Sequence, residues 1–182
     1  MNRRAFLGTA ASALALPAFA QTPPLDPQNT LYLQLKDGRV VIRLRPDLAP
    51  KHVAQIKALA KRGFYDGIVF HRVIDGFMAQ SGDPTGTGTG GSDLPNIPAE
   101  FSNVPFTRGV MGMARSQSPN SANSQFFIMF GETASLNGQY TVWGQVASGM
   151  EFVDKIKRGA PGSGTVSGPD KIIKLQLMAD VK

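Results

Sequence analysis

The stretch that decides the fold is LYLQLKDGRVVIRL at residues 31–44. Apolar and polar residues alternate along 31–35 and again along 40–44, on either side of Asp37-Gly38. Alternation of period two is typical of a strand with one buried face. Because Asp-Gly tolerates the positive φ angles of a type I′ turn, the two runs predict an antiparallel hairpin.

Further short segments have a strand-like composition, and two segments have helical spacing. The strand-like segments lie at 68–72, 77–80, 109–114, 125–130, 141–146 and 173–179. The first helix is predicted to begin at Pro50 and to end at Gly63. The second is predicted to begin after Ser148, in a capping box with Glu151, and to end at Gly159.

The sequence thus has about eight strands and two helices, with no βαβ rhythm and no internal repeat. An antiparallel sheet of this size avoids exposed edges by closing on itself. We therefore expect a mostly β protein with a closed eight-stranded antiparallel β-barrel capped by two α-helices. A chain of 182 residues suits one such domain, which we place at 30–182.

The first 20 residues have the layout of an export signal. Arg3 and Arg4 precede an uncharged run, and Ala-Phe-Ala at 18–20 forms a small-residue cleavage motif. The run is shorter than the roughly 20 residues of a membrane-spanning helix. We expect cleavage after Ala20, a periplasmic location and no membrane association afterwards. The paired arginines resemble a twin-arginine signal, with general secretion as the alternative, and 21–29 is expected to form an extended lead-in.

Composition excludes several kinds of chemistry. The sequence has no cysteine and only two histidines, which excludes a thiolate nucleophile and leaves few ligands for a metal. We expect no metal and no cofactor, a solvated His52 and a structural His71. The formal charge of +6 is dispersed, so nucleic acid is not an expected partner. The glycine-rich segment 84–91 lacks the lysine of a phosphate loop and predicts a surface loop beside a groove.

No motif for covalent catalysis is present either. The sequence lacks Gly-x-Ser-x-Gly, and its acidic residues are scattered, which argues against a serine hydrolase or a glycosidase. What remains is an apolar set with two polar members: Arg72, Phe77, Met78, Gln80, Phe126, Phe127 and Leu136. Strand alternation puts Arg72 and Ile74 on the same side of one strand and Met78 and Gln80 on the same side of the next. The phenylalanines at 126–127 point to opposite sides of theirs. From the residues alone, this set is either core or a shared pocket.

Three stretches resemble one known family. FHRVIDGFMAQSGDPTGTGTGG (70–91), GVMGMARSQSPNSANSQFFIMF (109–130) and SLNGQYTVWGQVASGMEFVDKI (135–156) are similar to the cyclophilin family of peptidyl-prolyl cis-trans isomerases, in particular to its exported bacterial branch. The resemblance spans roughly 30–180. It implies a cyclophilin-like barrel and an enzyme that rotates X-Pro bonds in proline-containing polypeptides, assisting the folding of exported proteins.

The resemblance also implies roles for individual residues. Arg72 is the implied catalytic residue, which donates to the prolyl nitrogen as the bond twists. The implied substrate-binding residues are Phe77, Met78, Gln80, Ala114, Arg115, Gln125, Phe127, Leu136 and Tyr140. The apolar members seat the proline ring, Gln80 bonds substrate backbone and orients Arg72, and the main chain at 114–115 pairs with the peptide. Tyr140 and Arg115 stand where many family members have histidine and asparagine.

One alternative remains open from the sequence, a proline-peptide-binding chaperone module with little turnover. The intact set around Arg72 favours the enzyme. We expect a monomer, since no extra apolar stripe is visible for a partner chain.

Overall fold

A computed structural model of the protein describes residues 24–181. The strands are β1 Thr30–Leu35, β2 Gly38–Leu44, β3 Arg72–Ile74, β4 Met78–Ser81, β5 Val110–Met113, β6 Phe126–Met129, β7 Val142–Ser148 and β8 Lys174–Leu177. The helices are α1 Pro50–Lys61 and α2 Met150–Val153, and short 3-10 turns span Pro27–Asn29, Ala134–Leu136 and Met178–Asp180. The eight strands and two helices confirm the predicted element count.

The predicted export signal and its cleavage site after Ala20 lie outside the described residues. Of the predicted lead-in, Pro27–Asn29 form a 3-10 turn rather than extended chain. Asp26 caps this turn, because its side chain accepts a hydrogen bond from Gln28 N at 2.9 Å. Within 24–181, no helix has both the length and the apolar character that a bilayer crossing requires.

The predicted hairpin is confirmed, but its turn differs. β1 pairs antiparallel with β2, and the register Leu35↔Gly38 leaves Lys36 and Asp37 as the two-residue turn. A type I′ turn needs positive φ at both central residues. No residue other than glycine has positive φ in the described range, so the predicted type I′ turn is wrong. Gly38 instead lets the ring of Phe152, from α2, lie directly against the β2 backbone.

The prediction of a closed barrel is wrong. The strands form one curled antiparallel sheet in the order β3-β4-β6-β5-β7-β2-β1-β8, and no ladder joins its edges β3 and β8 within 24–181. Isolated contacts cross the gap: Phe70 N donates to Asp170 O at 2.9 Å, and Val166 N donates to His71 O at 3.2 Å. The segment 159–169 is rich in glycine and proline, which interrupt strand pairing.

The sheet carries apolar side chains on both faces of β4, β6, β5 and β7. The inner face joins the main core, which includes Phe126 and Trp143 and side chains of α1. A smaller cluster lies on the outer face: Met78, Phe106, Val110, Phe127, Met129 and Val142. Phe126 and Phe127 thus point to opposite faces, as strand alternation predicts. The outer cluster gives the protein a second, smaller apolar core on the other side of the sheet.

The first helix is capped from a distant loop. Its N-cap residue, Ala49, offers no side-chain acceptor. Glu100 accepts hydrogen bonds from Lys51 N at 3.1 Å and His52 N at 3.0 Å, and its Oε2 lies 2.6 Å from His52 Nδ1. His52 is fully buried, so its prediction as a solvated residue is wrong. The Glu100 carboxylate makes this burial tolerable, because it partners both the ring and the backbone of His52.

Glu100→Gln is expected to lower the free energy of unfolding by about 1–2 kcal/mol at pH 7, because an amide is a weaker acceptor than a carboxylate at a helix N-terminus. Burial raises the pKa of Glu100, but hydrogen bonds from His52 and Lys51 outweigh it and the pKa is lowered from its usual 4.5. A lowered folded-state pKa adds stability above about pH 4.5 that is lost on acidification. Urea unfolding at pH 7 and at pH 4 tests both statements.

The matched control is Glu151→Gln, an exposed glutamate in the first turn of α2. Its expected effect is below about 0.5 kcal/mol. Equal losses for the two variants would show that the Glu100 cap contributes nothing specific.

The second helix is shorter than predicted. α2 ends at Val153, where the bonding tightens to a 3-10 pattern, with Ile156 N donating to Val153 O at 3.1 Å. Beyond the helix end, Arg158 Nη1 donates hydrogen bonds to the carbonyl oxygens of Asp154 and Ile156. The predicted capping box is also wrong, because the N-cap is Gly149 at φ 85° with no side-chain cap.

Candidate active site

The site begins with a row of residues across four strands. Strand register pairs Arg72 with Gln80, Gln80 with Phe127 and Phe127 with Gly112. Residues that face each other across neighbouring strands share one face of the sheet. Arg72, Gln80 and Phe127 therefore project side by side on the outer face, with Ile74 and Met78 in the adjacent row.

A cavity of about 460 Å³ lies over this row. Its walls are His71, Arg72, Phe77, Met78, Gln80, Gly86, Thr87, Gly88, Ala114, Arg115, Phe127, Leu136, Tyr140 and Thr165. Of the site residues expected from the sequence, all but Gln125 line it. Gln125 lines an adjoining cavity of about 660 Å³ instead, and the two cavities share Gln80, Gly88, Ala114 and Arg115.

The floor of the first cavity is aromatic. The Phe127 ring is 5% exposed, and its centroid lies 5.7 Å from that of Phe106 and 5.8 Å from that of Tyr140. Beneath it, Gly112 has no side chain, and a Cβ there would collide with Phe127 Cζ and lie 2.7 Å from Phe106 Cε1. The glycine in β5 therefore sets how deep the Phe127 ring sits.

Gly112→Ala is expected to push the Phe127 ring toward the groove, because a methyl group cannot fit beneath it. We expect KM for a proline peptide to rise about tenfold, and the free energy of unfolding to fall by about 1–3 kcal/mol through overpacking. Gly144→Ala, in β7, is the control: its Cβ would lie 3.3 Å from Arg43 O and Ile42 Cγ2, away from the cavity. A KM that rises equally in both variants would contradict the depth argument.

A chain of hydrogen bonds holds the guanidinium of Arg72. Its Nη1 donates to Gln80 Oε1 at 3.4 Å, and its Nε donates to Ser163 O at 3.2 Å. Gln80 Nε2 in turn donates to Gln125 Oε1 at 2.9 Å. Gln125 Nε2 donates to the carbonyls of the 84–91 loop, at Gly88 and Gly90. Gln125 is thus placed to fix the other members rather than to wall the cavity.

The 84–91 loop is organised by one buried carboxylate. Asp83 is fully buried and accepts from the backbone N–H groups of Thr85, Gly88 and Gly90 at 2.8, 2.6 and 3.1 Å. Burial would raise the pKa of Asp83, but these hydrogen bonds and that of the Thr85 hydroxyl hold it at about 2. The loop lies beside the groove as predicted, with Gly86 to Gly88 in the cavity wall.

The only histidine of the cavity wall has no catalytic partner among residues 24–181. His71 is 8% exposed, and neither ring nitrogen has a hydrogen-bond partner there. Burial lowers its pKa, nearby Arg72 lowers it further and Asp83 opposes both. A neutral imidazole that bonds neither a hydroxyl group nor a carboxylate is not placed to act as the general base that activates a nucleophile.

The rim opposite Arg72 is formed by Arg115 and Tyr140. The Arg115 guanidinium lies 4.5 Å from the centroid of the Tyr140 ring and donates to the Gln139 carbonyl at 2.9 Å, so these contacts fix the direction of the side chain. Ala114 N already donates to Gln125 O at 2.9 Å. Within the described chain, no backbone carbonyl accepts a hydrogen bond from Arg115 N.

Some lining residues were not predicted from the sequence. Thr165 reaches the cavity because it bridges to Arg72 across the sheet edge, and no local pattern marks it. Ser163 contributes only its carbonyl, which is invisible in a sequence.

In residues 24–181, no group of three or more histidine, aspartate or glutamate side chains is arranged to hold a metal ion.

The fold and this site together define the class of protein as one that binds a peptide segment in a surface groove. An apolar groove on the outer face of a curled antiparallel sheet, beside a fixed guanidinium, suits a chain segment bound without covalent chemistry.

Comparisons with known proteins agree with this class. Residues 30–177 match the family model described as cyclophilin type peptidyl-prolyl cis-trans isomerase/CLD. A probable peptidyl-prolyl cis-trans isomerase of Brucella suis is 56% identical over 192 aligned positions, covering 99% of this chain and 98% of the relative. Peptidyl-prolyl cis-trans isomerase B of Bacillus subtilis is 44% identical, covering 72% of this chain and 92% of the relative.

Solved structures agree as well. A cyclophilin from Hirschia baltica superposes with a TM-score of 0.78 at 29% identity, covering 87% of this chain and 77% of that one. A cyclophilin type peptidyl-prolyl cis-trans isomerase of Cryptosporidium parvum, solved in the presence of the dipeptide Ala-Pro, superposes with a TM-score of 0.74 at 29% identity. The superposition covers 81% of this chain and 98% of that one. The chain belongs to the cyclophilin-type peptidyl-prolyl cis-trans isomerases.

Proposed function

We propose that Arg72 catalyses the isomerisation by donating a hydrogen bond to the prolyl nitrogen in the twisted state. Rotation about an amide loses its resonance, which makes a barrier of about 18–20 kcal/mol. As the bond twists, the nitrogen regains a lone pair that it lacks when planar. A donor at that point stabilises the transition state more than the ground state, which is the condition for catalysis.

The observation that carries this proposal is the row of Arg72, Gln80 and Phe127 across three strands. It sets a guanidinium, which stays protonated at any physiological pH, beside an apolar seat for a proline ring. Phe77, Met78 and Leu136 complete the seat in the same cavity. We assign Gln80 to the substrate backbone and the Arg72 head group, and the Arg115 main chain to pairing with the peptide.

The proposed substrates are proline-containing polypeptides. The Cryptosporidium parvum relative solved in the presence of Ala-Pro supports a groove that accepts this dipeptide. The first experiment is NMR exchange spectroscopy on a short Ala-Pro peptide with catalytic amounts of the protein. The uncatalysed exchange takes tens to hundreds of seconds, so acceleration is easily separated from background. Binding without acceleration would favour the chaperone module instead.

We also propose that the protein acts in the periplasm on exported polypeptides, as a monomer. The location is supported by the layout of the first 20 residues, with paired arginines and an Ala-Phe-Ala motif. The monomer is proposed because the sequence shows no extra apolar stripe for a partner chain. N-terminal sequencing of the protein from the periplasmic fraction should begin at Gln21. Replacing both Arg3 and Arg4 with lysine should block export if the twin-arginine route is used, and should leave general secretion working. A full-length chain in the cytoplasm of the wild type would overturn the location.

A further inference from the structure

The structure assigns the positioning of Arg72 to Ser163 and Gly164, in the loop 159–165, with Gly164 as the residue on which this positioning depends. The inference rests on the catalytic role proposed for Arg72. It concerns how the guanidinium is held on the side away from Gln80.

The segment 159–165 covers the free edge of β3. Gly159 N donates to Val73 O at 2.9 Å, and Val73 N donates to Gly164 O at 2.7 Å. The loop itself is closed by Gly164 N donating to Ala160 O at 2.8 Å. Because both backbone groups of Val73 are engaged, the loop is fixed to the strand that carries Arg72.

Two contacts connect this loop to the Arg72 side chain. Ser163 O accepts a hydrogen bond from Arg72 Nε at 3.2 Å. At Gly164, a Cβ would collide with Ile74 Cγ1 and would lie 3.2 Å from Arg72 Cγ. The loop backbone thus lies flat against the stem of Arg72 only because residue 164 has no side chain.

These contacts fix the direction of the guanidinium. With Nε held by Ser163 O and Nη1 held by Gln80 Oε1, the plane of the group is set from both sides. In the described part of the chain, the other N–H groups of Arg72 have no partner, so they remain for substrate. A guanidinium has five N–H groups in a rigid fork, and fixing two directs the rest.

The loop supplies its own control. Gly162 and Gly164 have φ angles of +82° and +74°, so alanine suffers the same backbone penalty at either position. A Cβ at Gly162 would meet nothing within 4 Å. The two alanine variants therefore differ only in the contact with Arg72 and Ile74.

We expect Gly164→Ala to lower kcat for an Ala-Pro peptide at least tenfold with KM changed less than twofold, and Gly162→Ala to change either constant less than twofold. In an Arg72→Ala background, Gly164→Ala should have no further effect on kcat. Equal kcat values for the two glycine variants would overturn the inference. The inference would also be overturned if Gly164→Ala lowered kcat by the same factor in the wild-type and Arg72→Ala backgrounds, because that would mean a general structural effect.

A second measurement does not depend on any variant folding. Hydrogen exchange of the Arg72 Nε–H, followed by ¹H–¹⁵N NMR in the wild type, should be at least tenfold slower than for an exposed arginine such as Arg62. Exchange as fast as at Arg62 would contradict the contact with Ser163. If Arg72→Ala alone keeps full activity, the proposed role of Arg72 fails, whatever the loop does to its side chain.

Discussion

Arg72→Ala is expected to lower kcat/KM for an Ala-Pro peptide about 100- to 1000-fold. One preorganised donor aimed at charge that develops in the transition state contributes about 3–4 kcal/mol, which is two to three decades in rate. The loss should fall on kcat, because the substitution leaves intact the apolar seat around Phe127 that we propose for the proline ring. Exchange NMR at two peptide concentrations separates the two constants.

Two further variants make the result specific. Arg72→Lys keeps the charge but loses the rigid fork, so it should recover little of the activity. Arg62→Ala removes an exposed arginine that pairs with Asp93 at 2.9 Å on the far end of α1, and should leave kcat unchanged. Wild-type exchange in the Arg72→Ala protein would remove the guanidinium from the mechanism.

Local sequence patterns predicted the features that depend on strand geometry. Alternation placed Arg72 on the same side as Ile74 and Met78 on the same side as Gln80, because side chains along a strand switch sides at every residue. The same rule separated Phe126, in the core, from Phe127, in the groove. Most of the strand-like segments overlap the observed strands, since each follows from its own residues, but β3 begins only at Arg72, where the predicted segment 68–72 ends, and α2 is shorter than predicted.

Two of the wrong predictions, the solvated His52 and the closed barrel, concern contacts between distant residues. His52 is buried because Glu100 reaches it from 48 residues away, and no local pattern of α1 shows that carboxylate. The sheet stays open because 159–169 cannot extend the ladder from β8. That same irregular segment brings Ser163 O to Arg72, which a sequence cannot show because every residue has a carbonyl. Chain topology, rather than propensity, decides these contacts.

Asp83→Ala is expected to lower the free energy of unfolding by about 3 kcal/mol at pH 7. The substitution leaves the N–H groups of Thr85, Gly88 and Gly90 without their acceptor, and a buried donor without a partner costs about 1 kcal/mol or more. Urea unfolding followed by the fluorescence of Trp143, the only tryptophan and fully buried, measures the loss.

The control is Asp93→Ala, next to the same loop; the Asp93 side chain is 69% exposed and forms an ion pair with Arg62. An exposed ion pair contributes about 0–1 kcal/mol, so the expected loss is small. If Asp83→Ala and Asp93→Ala lower the free energy of unfolding by the same amount, the hydrogen bonds inside the loop do not contribute to stability.

The pH dependence of the Asp83 contribution distinguishes its charge from its shape. The pKa of Asp83 is lowered from 3.8 to about 2 in the folded protein, so the group binds a proton more readily when unfolded. Its stabilisation is therefore complete above about pH 4 and is lost as pH falls through about 2, with a size of about 2 kcal/mol. Asp83→Asn keeps the shape without the charge, so its stability should not show this loss. The contrary result is a difference in the free energy of unfolding between wild type and Asp83→Asn that stays constant from pH 6 to pH 2.5. It would mean that the carboxylate holds the loop through packing alone. The hydrogen bonds that lead from Asp83 through Gln125 and Gln80 to Arg72 would then not depend on its charge.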